Sequence, residues 1–201
     1  MTPRIPTLLA LAVLVAVLIP NAAVPQEDGG MNAEMMKKYA ELAKPGPQHK
    51  LLGTMIGEFD TTMRVYMMPG KPPMESKGTA TSRWLIDGKW LATEWTGKMM
   101  GAKMNGFGIM GFDNHKKKFI SMSVDNLNHF MQHSEGVVCD RSGKVIVTYG
   151  HMDEFLMGEH DKQVKYVTRL LSADKHVYEV WDLGIGESGR KVVEITAVRR
   201  K

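Results

Sequence analysis

From Glu58 to Arg199 the chain is a succession of β-prone runs, each closed by a turn signal. The clearest part is Ala80 to Ile86, then Asp87-Gly88, then Lys89 to Trp95. Asp-Gly between two β-rich runs predicts a two-residue hairpin, because both turn positions favour positive φ. With that tip, Ile86 faces Lys89, Trp84 faces Leu91, Ser82 faces Thr93 and Ala80 faces Trp95. One face then carries Trp84, Leu91 and Trp95 and is the better core candidate. The other carries Thr81, Arg83, Glu94 and Thr96, with Arg83 and Glu94 as diagonal neighbours. Ten such runs are read, at 58–68, 76–86, 89–97, 104–112, 117–125, 130–138, 144–152, 162–171, 175–183 and 191–199. Without helical interruption they predict an all-β antiparallel meander that closes into a barrel or stacks as a sandwich. A barrel of this size commonly holds one small ligand.

The 201 residues suit one β-domain preceded by a processed segment. Arg4, the apolar run from Leu8 to Ile19 and the small residues Asn21-Ala22-Ala23 have the layout of a secretory signal peptide. The run is shorter than the roughly 20 apolar residues of a membrane span. The expected division is a signal peptide over 1–23, a linker and short helix over 24–47, and the β-barrel domain over 48–201. Such a chain is exported to the periplasm or beyond and keeps no membrane span after cleavage. Asn32 is placed to cap a helix carrying Met35, Met36, Tyr39 and Leu42, which Pro45-Gly46-Pro47 stops. Leu51, Leu52, Met55 and Ile56 share one side of a further turn or two, so residues 32–56 are expected to plug one mouth of the barrel.

Composition removes some partners. Loss of residues 1–23 takes away Arg4 alone and lowers the net charge from +4 to +3. Lys116-Lys117-Lys118 reads as a hairpin tip rather than a nucleic-acid patch. Aromatics at 7% are too few for the girdles of an outer-membrane barrel. The single cysteine, Cys139, cannot form an internal disulfide and reads as a small buried hydrophobe beside Val137-Val138. Asp153 to Asp161, the longest irregular stretch, is the expected functional loop.

Gly57-Glu58-Phe59 opens the first strand much as Gly-x-Trp opens the lipocalin and wider calycin barrels, with Phe in place of Trp. Arg199 stands near the end of the last strand, where those barrels carry a basic residue across the aromatic. More specifically, residues 49–200 resemble the bacterial family called domain of unknown function 1579. The resemblance rests on His49-Lys50-x-Leu52, Gly57-x-Phe59, Arg83-Trp84-Leu85, Gly88-x-Trp90-Leu91, Gly111-Phe112-Asp113, Asp125, Ser134-Glu135-Gly136 and Glu194-Ile195. It implies a lipocalin-like up-and-down barrel of ten strands and supplies no activity, ligand or catalytic residue.

The chemistry-bearing residues give weaker signals. The 17 methionines include Met35-Met36, Met67-Met68 and Met99-Met100. Thioethers can bind Cu(I), but neighbours on a strand point to opposite faces, and only Met99, Met100 and Met104 around a turn could converge. Adaptable apolar lining is the better-supported role. His129 and His133 would stand about 13 Å apart along a strand, too far to share one metal. His133 and Glu135 share a face, and a single histidine could ligate haem in a calycin-like barrel. Gly106-Phe107-Gly108 reads as a bend or bulge within a strand. No Gly-x-Ser-x-Gly, His-Glu-x-x-His or phosphate-binding loop is present. The leading reading is therefore non-catalytic binding of a small, mainly apolar molecule, with no cofactor. Trp84, Leu91 and Trp95 would form an apolar wall, and Arg83, Asp125, His133 and Glu135 the polar anchors. A haem- or copper-binding barrel using His or Met, and a cofactor-free enzyme, are the alternatives. The sequence leaves oligomeric state open.

Overall fold

Phe59 and Met63 are buried on the first strand while Glu58 and Asp60 are exposed, the period-two pattern of a strand with one face on a core. The structure is a computed structural model that describes residues 29–154, 158–184 and 189–201. Two helices, α1 (Gly29–Leu42) and α2 (Pro47–Gly53), precede ten strands. These are β1 (Gly57–Val65), β2 (Met74–Ile86), β3 (Trp90–Met99), β4 (Ala102–Asp113) and β5 (Lys118–Asp125), followed by β6 (Gln132–Val138), β7 (Val145–Glu154), β8 (Glu159–Ser172), β9 (Lys175–Asp182) and β10 (Arg190–Arg199). Each strand pairs antiparallel with the next, and β1 pairs with β10 to close the barrel. The ten-stranded up-and-down architecture expected from the sequence is the one observed.

The chain divides into two units at Lys38/Tyr39. In the first, α1 already begins at Gly29, so Asn32 lies inside the helix rather than capping it. Met35 and Met36 are exposed, as are Tyr39 and Leu42 at the start of the second unit. The signal segment 1–23 lies outside the described residues.

In the second unit, α2 starts with Pro47, whose fixed φ suits a first helical position. The Gly46 N–H donates to His49 Nδ1 at 3.0 Å, and the His49 ring packs edge-on against Phe112 at 5.9 Å. Burial lowers the His49 pKa. Leu52 and, just past the helix, Met55 join Leu91, Phe112, Phe119, Ile146 and Leu170 in one apolar cluster. Each fully buried side chain of this kind contributes about 1.5–3 kcal/mol. Within this unit, α2 and the turn after it form the plug. It closes the end that carries the β2–β3, β4–β5, β6–β7 and β8–β9 turns, and the opposite end stays free of it.

The β2–β3 register is as predicted at Trp84–Leu91, Ser82–Thr93 and Ala80–Trp95, but Ile86 faces Trp90 instead of Lys89. Of the two tip residues only Gly88 has positive φ, at 65°, so the turn is wider and the pairing slips by one at Leu85. The lysine cluster does form a turn, with Asp113 accepting from the N–H groups of His115 and Lys116 at 2.7 and 2.8 Å. Cys139 is exposed, against expectation; it sits beyond the end of β6, where no inward face exists. Strand pairing reaches Glu154–Glu159, so β7 and β8 extend into the stretch from Asp153 to Asp161, whose residues 155–157 lie outside the described residues. On the outer face, Lys77–Glu75–Arg64–Glu194–Lys191–Glu179–Arg169 form a continuous chain of ion pairs across the β2–β1–β10–β9–β8 seam.

Gly106 and Gly108 mark neither bend nor bulge, since β4 pairs with both neighbours without a shift. They make room for an indole. A Cβ at Gly106 would lie 2.3 Å from Trp95 Cζ2, and one at Gly108 would lie 3.2 Å from Trp95 Cζ3. Gly106→Ala is therefore expected to lower the unfolding free energy by about 1–3 kcal/mol and to alter Trp95 fluorescence. A Cβ at Gly97 meets nothing nearer than 3.7 Å, so Gly97→Ala serves as the milder control. Urea denaturation of both variants checks the difference, and equal losses would contradict the packing argument.

Candidate functional site

Directly opposed residues on adjacent antiparallel strands share a face, so the pairing register assigns the inner wall. Next to α2 that wall is packed and apolar. One residue pair further along, it turns to hydroxyls. Ser82 and Thr93 bond at 2.8 Å, Ser121 and Ser134 at 2.8 Å, and Ser134 and Thr148 at 2.9 Å. Ser82, Ser134, Thr148 and Thr168 are all buried. Inward-facing Ser121, Tyr178, Val180 and Ile195 are only half-buried. Tyr178 nonetheless lies deep enough for desolvation to push its pKa well above the ordinary phenol value.

Tyr166 stacks on Tyr178, with ring centroids 5.9 Å apart and planes 16° apart. It is 3% exposed, and burial drives its pKa up to about 12. Its hydroxyl and Asp182 Oδ1 are buried without a hydrogen-bond partner among the described residues. The other carboxylate oxygen, Asp182 Oδ2, pairs with Lys162 Nζ at 3.1 Å. Met63 and Met104 are buried toward the free end. The loops and strand ends of that end expose Met67, Met68, Met74, Met100 and Met131.

Three of the residues singled out from the sequence line the inner face at two levels. Trp84 and Leu91 belong to the packed cluster at α2, while Trp95 lies further along β3 over Gly106 and Gly108. Asp125 also has the inward register, but its carboxylate accepts from the Leu127 and Asn128 N–H groups at 2.8 and 2.9 Å and from Asn128 Nδ2 at 2.7 Å. It holds the β5–β6 turn. Arg83, His133 and Glu135 face outward, so the fold does not bring them to the inner wall. Arg83 pairs with Glu94 at 3.5 Å with both side chains exposed. Glu135 pairs with Lys118 at 3.2 Å and Lys116 at 3.4 Å, and these lysines, Lys118 foremost, lower its pKa. His133 is exposed between Met122 and His151.

The inward histidine is His176, packed edge-on against Phe59 with centroids 4.8 Å apart. Among the described residues no group of three or more His, Cys, Asp and Glu side chains could hold a metal ion. Sequence reasoning missed the hydroxyl belt and the tyrosine pair. The signal was present in the Ser82–Thr93 register, where two hydroxyls fall on the same face as Trp84 and Leu91. Two depressions are found among the described residues. One, of about 550 Å³, is lined by β3, β4 and the end of β5, from Glu94 to Thr96, Asn105 to Phe107 and Val124 to Asn126. The second, of about 400 Å³, lies beside the start of α2.

The molecule is by these features a closed ten-stranded antiparallel barrel with a helix-plugged end and a graded inner wall. A family model described as protein of unknown function (DUF1579) matches residues 44–199, and the chain belongs to that family. Among curated proteins none matches it significantly in sequence. Of solved structures, the crystal structure of Rv2717c from M. tuberculosis is similar at a TM-score of 0.55 and 10% identity, covering 79% of this chain and 100% of that one. A redesigned beta barrel, b11L5F_LGL, aligns at a TM-score of 0.40 and 12% identity over 75% of this chain and 96% of its own.

Proposed function

We propose that this protein is an exported carrier or receptor that binds one small, mainly apolar molecule inside the barrel, without catalysis. The observation that carries the reading is the inner wall: apolar packing at the plugged end gives way to hydroxyls, and two buried polar atoms there have no partner among the described residues. Natural structures leave few such groups, because each costs about 1–3 kcal/mol when desolvated without a partner. The methionines support the same reading. Unbranched thioether side chains move aside and repack readily, so Met63 and Met104 suit an entrance, and exposed methionines around the free end suit passage of an apolar molecule. Export is supported by Arg4, the Leu8–Ile19 run and the small residues at 21–23.

Titration with N-phenyl-1-naphthylamine, an uncharged fluorophore, tests the binding claim. Saturable, blue-shifted emission at one probe per chain is the expected result; emission that rises without saturation contradicts it. Intact mass of the protein recovered from outside the cytoplasm tests export, with a chain beginning near residue 24 expected.

A further inference from the structure

We infer that the interior site takes an uncharged molecule with one hydroxyl or amide group on an otherwise apolar body, and that Tyr166 and Asp182 hold that group. This rests on interior binding as proposed above and adds the chemical class of the ligand. Tyr166 stands opposite Val180, two residues from Asp182 on β9, so the two unpaired groups are diagonal neighbours on one inward face. Their chemistry is complementary. The Tyr166 phenol stays protonated across the physiological range and offers a donor. The Asp182 carboxylate, neutralised through its other oxygen by Lys162, offers an acceptor. A head group that satisfies both must accept one hydrogen bond and donate another, as an alcohol or an amide does.

Charge narrows the class further. Lys162 is engaged with Asp182 and Glu159. Arg190, opposite Asp182, is exposed and donates to the Met67 carbonyl at 3.3 Å. Asp125 is spent on its turn. Among the described residues, no inward cation is left over for a carboxylate ligand, and such a ligand would bring no donor to Asp182 Oδ1.

The experiment is displacement of N-phenyl-1-naphthylamine from the protein by 1-dodecanol, dodecanamide and dodecanoate, which share an alkyl chain and differ in head group. The alcohol and amide are expected to compete at concentrations at least about tenfold lower than the carboxylate, the factor that one charge-mismatched hydrogen bond supplies. Tyr166→Phe should weaken the alcohol about three- to tenfold, the value of one hydrogen bond. It should leave the thermal midpoint unchanged or raised, because it deletes an unpaired hydroxyl. If the probe does not bind, interior binding itself fails. If the probe binds but dodecanoate competes as well as dodecanol, or Tyr166→Phe does not weaken the alcohol, this inference is overturned while interior binding stands, and the Tyr166 hydroxyl meets only water.

Discussion

Arg199→Met is expected to lower the unfolding free energy by about 3–5 kcal/mol, because it strips several backbone carbonyls of a charged donor at once. The guanidinium donates to the Ile56 carbonyl, to the Thr54 and Ala173 carbonyls at 3.0 Å each, and to the Asp174 carboxylate at 3.0 Å. It also lies 4.8 Å from the centre of the Phe59 ring, an arrangement that adds cation–π attraction. Phe59 and Arg199 are opposed on the β1–β10 pairing that closes the barrel, so one side chain ties together the seam, the plug and the β8–β9 turn. The approach is close enough that a Cβ at Gly57, where φ is 135°, would stand 2.2 Å from Arg199 Nη1. Arg199→Lys keeps the charge but has a single ammonium to offer these acceptors, so it should recover less than half of the loss. Urea denaturation of the two variants measures both effects. A loss below about 1 kcal/mol for Arg199→Met would mean that the bonds at this end are replaced by water without cost.

Acid should destabilise the barrel well before its carboxylates are protonated. Burial, helped by the neighbouring Arg199 charge, lowers the His176 pKa to about 4, whereas an unfolded histidine titrates near 6.5. Between those values the unfolded chain binds the proton and the folded one does not, so stability rises with pH. The contribution is complete above about pH 6.5, declines as pH falls, and is lost below about pH 4. The slope approaches 1.4 kcal/mol per pH unit, for a total of about 3 kcal/mol. His49, also lowered by burial, acts in the same direction. Unfolding free energies at pH 7.5, 6 and 5 should show the decline, and His176→Gln should flatten it. Arg199→Met should raise the His176 pKa and shrink the same slope, which links the two predictions. A pH-independent wild-type stability across this window would show that His176 is not desolvated.

The sequence carried the β-ladder because the signals that specify it are local. Turn residues and alternating apolar positions mark each run, and the β2–β3 register was recoverable from Trp84 to Ala80. Gly57, Phe59 and Arg199 were legible through resemblance, although they meet across almost the whole domain. The inner face was harder to read. A one-residue slip exchanges every inward and outward side chain, and outside the best hairpin nothing local fixes that parity. His133 and Glu135 were placed on a common face correctly, yet that face looks outward. His176, two positions past Ala173-Asp174, is the histidine that points in. The hydroxyl belt escaped notice because serine and threonine on a strand ordinarily indicate solvent, and only closure of the barrel turns Ser121, Ser134 and Thr148 toward one another. Tyr166 and Asp182 acquire meaning only when their missing partners can be seen.

The barrel contains four tryptophans, and their placement allows a direct test of where a ligand sits. Trp95 faces inward. Trp90 lies outside over Gly111, where a Cβ would come within 2.3 Å of its ring. Trp181 lies outside as well, beneath Lys165 and donating to Glu179 at 3.1 Å. Indole N–H resonances followed by NMR during titration with N-phenyl-1-naphthylamine should show Trp95 shifting in a saturable manner while Trp90 and Trp181 stay fixed. Saturable shifts confined to Trp90 or Trp181 would place the molecule on the outer surface and contradict an interior site.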